Sequence, residues 1–150
     1  MTYIPIDRVP FRRVLVGWDC SPGSAAALRA AVAIADMEAG HVVALAVLRP
    51  APYTENKEEG PADLAERQHH AFATFSATKK TLDGPCGRSV SLHFVESADA
   101  ARAVREYAIK LGFDLLVLGR HGAGGLLHPK LGHVARAATR DSRLTVLLAA

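Results

Sequence analysis

The residues with the clearest chemical potential lie late in the chain. Gly119-Arg120-His121-Gly122-Ala123-Gly124-Gly125-Leu126 follows a short apolar run and leads through Leu131-Gly132-His133-Val134 into a helical stretch. Backbone N–H groups at a helix start have no intrahelical acceptor and attract anions, and glycine permits both close approach and positive φ. The chemistry on offer is therefore phosphate binding. Two phosphate motifs fail on the residues themselves. For GxxxxGK[ST], Gly119 and Gly124 have the spacing, but Gly125 stands where lysine is needed. For GxGxxG, Gly122 and Gly124 are followed by Leu127 in place of the third glycine. Neither a P-loop NTPase nor an NAD-type dinucleotide site is expected. The spacing that does occur is Gly119-x2-Gly122-x9-Gly132. Arg120 and Lys130 bracket the loop and are its candidate phosphate cations.

Other reactive side chains carry less. Asp19 ends the first apolar run and either caps the helix that follows or faces a ligand. Cys20 beside it has no base partner fixed by the sequence, so a structural thiol is the expectation. His121, His128 and His133 match no standard zinc spacing and have no nearby cysteine, so no metal bound by protein groups alone is expected. His121 or His133 could act as a general base, but the sequence fixes no geometry for it. Trp18 and Tyr107 are read as packing or interface residues. Aromatics are not interleaved with the basic residues, so nucleic acid is not an expected partner.

Composition agrees with a small soluble binding protein. The 150 residues are 49% hydrophobic and 22% charged, the balance of one folded domain. No apolar run is long enough to span a membrane. Met1 to Arg13 lacks the apolar stretch of a secretory signal, and residues 1–12 read as an N-terminal extension. Cys20 and Cys86 form no disulfide framework, which points to a cytoplasmic setting. Net charge is +3, and the surplus belongs to one segment. Gly119 to Arg143 holds five basic residues against the single acid Asp141. Such a local excess suits a small anionic ligand, or a solvated basic helix face.

Five apolar runs must position these groups. The strands are expected at Arg13 to Asp19, His41 to Leu48, Ser89 to Val95, Asp114 to Gly119 and Thr145 to Leu148. Between them fall four helices. The first runs from Pro22 to Ala39 with a buried stripe of Leu28, Val32, Ala35 and Ala39; Ser21 caps it and Gly40 stops it. The second, Pro61 to Leu82, turns Leu64, Phe72, Phe75 and Leu82 inward, and Gly84-Pro85 breaks it. The third, Ala100 to Leu111, is capped by Asp99 and buries Ala101, Val104, Ala108 and Leu111 before Gly112. The fourth is a short helix from Gly132 to Thr139. Residues 50–60 are polar and acidic and read as a mobile loop. Continuous apolar strands alternating with helices predict a parallel sheet covered on both faces.

On these residues the chain resembles the universal stress protein family. Its nucleotide-binding members carry G-x2-G-x9-G-(S/T) after the fourth strand, matched here by Gly119, Gly122 and Gly132. The opening, VLVGWDCSPGSAAALRAA from Val14 to Ala31, also matches, with Asp19 followed two residues on by Ser21. The resemblance spans nearly the whole chain. It implies an α/β three-layer sandwich with a five-stranded parallel sheet of order 3-2-1-4-5. It also implies a dimeric regulatory protein that binds ATP or AMP, with Mg²⁺ where the nucleotide brings it, and acts through partners in stress response. Carried over by position, Gly17 approaches the adenine and Val47 packs on its ring. Asp19 accepts from a ribose hydroxyl or holds Mg²⁺ through water, beside Ser21. Gly119 and Gly122 contact ribose and phosphate, with Arg120 adjacent. Gly132, His133 and Val134 offer backbone N–H groups to the phosphates. The last strand, Val146, Leu147 and Leu148, is the implied dimer edge. His133 departs from the family pattern, which has serine or threonine there. That leaves open a family member of the same fold that has lost nucleotide and works as an interaction protein; a second alternative that the resemblance allows is a weak ATPase, with at most slow ATP hydrolysis.

Overall fold

The computed structural model describes residues 11–50, 61–121 and 132–150. Five strands form one fully parallel sheet: β1 (Arg13–Gly17), β2 (His41–Leu48), β3 (Ser91–Glu96), β4 (Leu115–Gly119) and β5 (Val146–Ala149). Their order is β3-β2-β1-β4-β5. Side chains alternate along each strand, and this splits the core in two. Val14, Val16, Val42, Ala44, Leu115 and Val117 face one side. Leu15, Leu45, Leu116 and Leu118 face the other.

The first side is covered by α1 (Pro22–Met37), α2 (Pro61–Lys79) and the short α3 (Pro85–Ser89). Helix α1 starts where the Ser21 hydroxyl accepts the Ser24 N–H at 3.1 Å, with Pro22 in the first turn. Its alanines let it lie close to the sheet, burying Ala27, Leu28, Ala31, Val32 and Ala35. The second side is covered by α4 (Ala100–Lys110) and α5 (His133–Thr139). Asp99 caps α4 by accepting the Arg102 N–H at 3.0 Å. The fold class, the strand order and the two-sided helix cover are those expected.

Several local readings are corrected. Ala39 is exposed and lies beyond α1, in the left-handed region at φ 49°. The helix closes there because the Gly40 N–H reaches back to the Ala35 carbonyl at 2.8 Å. Gly40 is needed for a different reason: a Cβ on it would sit 2.6 Å from the Arg12 carbonyl oxygen. Phe72 is 55% exposed, whereas Phe75 is buried. The inner stripe of α2 runs through Ala71 and Phe75, one turn apart, which leaves Phe72 on the outer side. Leu82 falls beyond the end of α2 and packs partly buried against the core. Leu111 is 47% exposed because α4 has ended. Gly112 turns the chain at φ 68°, and Phe113 packs against the core instead.

The expected third strand begins with helix. Residues Pro85–Ser89 form α3, and Val90 is buried at its end. Helix α3 has no side-chain cap of its own. Asp36 of α1 supplies one, its Oδ1 accepting the Cys86 N–H at 2.9 Å. The Cys86 thiol donates to the Gly40 carbonyl at 3.1 Å. The readings of residues 1–10 and 51–60 lie outside the described residues.

Candidate functional site

The sheet order places β1 beside β4 at the point where chain connections diverge to opposite sides, and ligands favour such a crevice at the carboxyl ends of the strands. A cavity of about 430 Å³ opens there. That lies within the ordinary range for small-molecule sites. Its floor is built from Gly17, Leu45, Val47 and Leu118. Ala100 and Val104 of α4 wall one side, and Val134 and Ala135 of α5 wall another. Asp19, Ser21, Arg49, Gly119, His121, Gly132 and His133 also line it.

The β1–α1 turn is specified closely. Asp19 Oδ1 accepts the Ser21 N–H at 3.0 Å and also the Ser21 hydroxyl. Ser21 is buried, so it holds the turn and caps α1 from inside. The Asp19 side chain is fixed through one oxygen at the cavity edge. Cys20 adopts φ 66° between them, and its Sγ accepts the Thr74 hydroxyl of α2 at 3.2 Å. Cys20 is thus a packed structural thiol. Cys86 is equally structural: burial, then its contact with the Asp36 carboxylate, pushes the thiol up to about 11.

Two glycines allow α1 to meet β4. A Cβ on Gly119 would lie 2.6 Å from the Gly23 carbonyl carbon, and one on Gly23 would lie 2.6 Å from the His121 carbonyl oxygen. Beyond β4, the Arg120 N–H donates to Ala149 at 2.9 Å and its carbonyl accepts the Gly132 N–H at 2.7 Å. The first bond ties the end of β4 to β5, and the second ties it to the start of α5.

Backbone polarity adds a recognition edge. The Leu45 carbonyl accepts from Trp18 on the β1 side, and the Leu48 carbonyl accepts from Ser97 on the β3 side. Alternate residues of a parallel strand bond alternate neighbours, so the Val47 N–H and C=O face the β1 side. But the β1 register stops at Gly17 opposite Leu45. Val47 therefore presents one donor and one acceptor to the crevice, side by side.

Of the residues singled out from sequence, Gly17, Asp19, Ser21, Val47, Gly119, Gly132, His133 and Val134 all line this one cavity. Arg120 is exposed and does not. Gly122 and Lys130 lie outside the described residues, as does His128. Trp18 contributes to the lining but its ring packs edge-on against Phe75, with centroids 5.7 Å apart. Tyr107 stacks on Phe113 and shares a 2.8 Å hydrogen bond with His93, away from the cavity. Sequence reasoning missed Arg49, Gly23 and the α4 wall. Arg49 follows Val47 by two, one residue past the end of β2, so continuing the strand period could have found it. Gly23 could have been suspected because a helix interior tolerates glycine only at a cost. Among the described residues, no group of three or more His, Cys, Asp or Glu could hold a metal ion.

The chain's relatives agree with this architecture. The model of the universal stress protein family matches residues 10–149. Among solved structures, the universal stress protein UspA from Lactobacillus plantarum superposes with a TM-score of 0.76 at 18% identity, over 93% of this chain and 98% of that one. A universal stress protein from Archaeoglobus fulgidus gives 0.65 at 18% identity, over 93% and 99%. A universal stress protein in complex with cAMP gives 0.62 at 23% identity, over 93% and 96%. No curated relative matches the chain by sequence.

Proposed function

From the premise that this chain belongs to the universal stress protein family, we propose that its cavity takes an adenine nucleotide, ATP or AMP. The protein then acts as a nucleotide-loaded regulator in the cytoplasm, through partners rather than turnover. The observation that carries this reading is the paired donor and acceptor of Val47 at the cavity edge. Adenine presents the complement, a ring nitrogen that accepts beside an exocyclic amine that donates. The base would rest on the Val47 side chain, over the opening that the missing side chain of Gly17 leaves in the floor.

The rest of the ligand follows from that placement. Asp19, held by Ser21, offers an acceptor to ribose hydroxyls or to Mg²⁺-bound water. Gly119 lets the backbone approach the sugar and phosphates. Gly132, His133 and Val134 lie where the phosphates would end. A structural relative that binds cAMP, itself an adenine nucleotide, supports the ligand class.

Thermal unfolding with saturating Mg-ATP, and in parallel with AMP, tests the reading. Ligand at about 100 times its Kd stabilises by roughly 2.7 kcal/mol. For a chain of this length that raises Tm by about 5–10 °C. No shift at millimolar nucleotide sinks it.

One observation favours a second reading. His133 lines the cavity in place of a small hydroxyl side chain. If its bulk excludes phosphate, the chain is an interaction protein of the same fold. His133→Ser discriminates: nucleotide binding that appears only in the variant supports the second reading, and equal binding in both supports the first.

A further inference from the structure

Two histidines line the phosphate end of the cavity. His121 follows β4, and His133 opens α5. Histidine is the side chain whose ordinary titration falls between pH 5 and 8. We infer that His121 and His133 hold the nucleotide's phosphates as imidazolium ions, so that binding takes up protons and tightens as pH falls. This rests on the nucleotide reading above and adds its regulation.

The charges around the pair favour that role. Among the described lining residues the carboxylate is Asp19, from the β1–α1 turn, and its Oδ1 already accepts two bonds from Ser21. Arg49 lines the cavity from just past the end of β2. Arg120 precedes His121, and Arg136 lies one turn after His133 on α5. The α1 residues at the cavity, Ser21 and Ser24, are uncharged, as are Ala100 and Val104 of α4. Among the described lining residues the fixed charges are thus one cation, Arg49, and one carboxylate, Asp19, whose Oδ1 is already engaged, and α1, α4 and α5 bring no carboxylate to the lining. A phosphate arriving there favours the charged imidazole, and the charged imidazole in turn holds the phosphate. By linkage each event strengthens the other. Serine or threonine at residue 133 would bind phosphate without this dependence, because a hydroxyl does not titrate in the range.

The ligand's own chemistry makes the sign diagnostic. A terminal phosphate takes up a proton near pH 6 and loses charge. Alone, that would weaken binding in acid. Imidazolium contacts reverse the trend.

The test is calorimetric titration of the whole chain with Mg-ATP at pH 6 and pH 8, each in two buffers of different ionisation enthalpy. Adenosine serves as a phosphate-free control. The expected result is ATP binding roughly tenfold tighter at pH 6, as charge-assisted bonds replace neutral ones. Buffer-dependent enthalpies should report net proton uptake. Adenosine should bind alike at both values. His133→Asn and His121→Asn keep a polar side chain without the charge, and each should shrink the pH ratio, the double variant abolishing it. ATP affinity that is flat or weaker in acid overturns the inference while leaving the nucleotide site intact. An unchanged pH ratio in the double variant overturns it too. Absence of ATP and AMP binding by the parent chain at both pH values overturns the nucleotide reading and this inference with it, whether or not His133→Ser binds.

Discussion

Gly17 and Gly119 border the same cavity, yet alanine at each should do different damage. At Gly119 the new Cβ meets the backbone of Gly23 at 2.6 Å. Backbone in a packed helix cannot yield cheaply, so Gly119→Ala should cost about 1–3 kcal/mol, a fall in Tm of roughly 3–10 °C. At Gly17 the Cβ meets only Leu118 Cδ2, also at 2.6 Å, and that side-chain tip can move. Gly17→Ala should leave Tm within about 3 °C of the parent, an effect no larger than ordinary mild core changes, while ATP affinity falls because the cavity floor is filled. Thermal melts and calorimetry on both variants check this; equal loss of stability would sink the distinction. A second residue-scale prediction concerns acid. The Asp141 carboxyl is held down at about 2 from an ordinary 3.8 by its bonds to the Arg143 side chain and backbone N–H, with Arg105 of α4 adding its charge. The folded state therefore binds fewer protons than the unfolded one. The stabilisation is present above pH 3.8 and is lost as pH falls through about 2. Asp141→Asn should melt below the parent at pH 7 and match it near pH 2, and a constant gap would refute the linkage. At this scale the sequence was most legible where chemistry is local. Asp19, Ser21 and Gly132 declare themselves by type and spacing. Gly23 does not, because what it packs against, Gly119 and the His121 carbonyl, comes from β4 and the residues after it.

Helix ends carry the next scale. Ala39 occupies a left-handed position at φ 49° that a Cβ makes unfavourable, and it is exposed. Ala39→Gly should therefore stabilise α1's end by about 1 kcal/mol, raising Tm by roughly 2–4 °C. A lower Tm would mean that unfolded-state entropy outweighs the relieved strain. Helix α3 makes the opposite case. Its cap comes from Asp36, fifty residues earlier in sequence. Asp36→Ala should cost about 0.5–2 kcal/mol, measured by chemical denaturation, and a neutral result would show that the turn is held by Pro85 and Cys86 burial alone. Strand and helix order was readable because each run announces its period. The cap on α3 was not, since local sequence offers Gly84-Pro85 and nothing to end a break with helix. The exposed Phe72 has a related reason: Phe72 and Phe75 lie three apart on α2, and the position of the sheet chooses Phe75.

At the scale of the molecule the sheet ends in β3 and β5 with no further strand paired to either among the described residues, and these two edges differ in character. Strand β3 exposes Ser91, His93 and Glu96, a polar edge that water can serve. Strand β5 is Val-Leu-Leu-Ala, with Leu147 37% exposed. Unprotected apolar edges invite pairing, and a second copy of the same chain is the simplest cover for one. The reading of Val146, Leu147 and Leu148 as a dimer edge rests on this contrast. Leu147 is the residue to change, because its neighbours Val146 and Leu148 pack inward against the α4–α5 side while it does not. Leu147→Lys places a charge on the edge without removing core volume. The parent chain should elute and scatter as a dimer, and the variant as a monomer whose Tm is lower only by the lost association. If the parent is monomeric at tens of micromolar, or the variant stays dimeric, β5 is not the interface. Nucleotide and dimer can then be tested against each other. The Arg120 N–H and the Ala149 carbonyl join the cavity's loop to the end of β5 through one 2.9 Å bond. A ligand that contacts the backbone beside Gly119 therefore acts on the strand a partner would pair with. If that bond transmits occupancy, ATP should shift the dimer midpoint in the parent and leave Leu147→Lys monomeric but fully able to bind ATP.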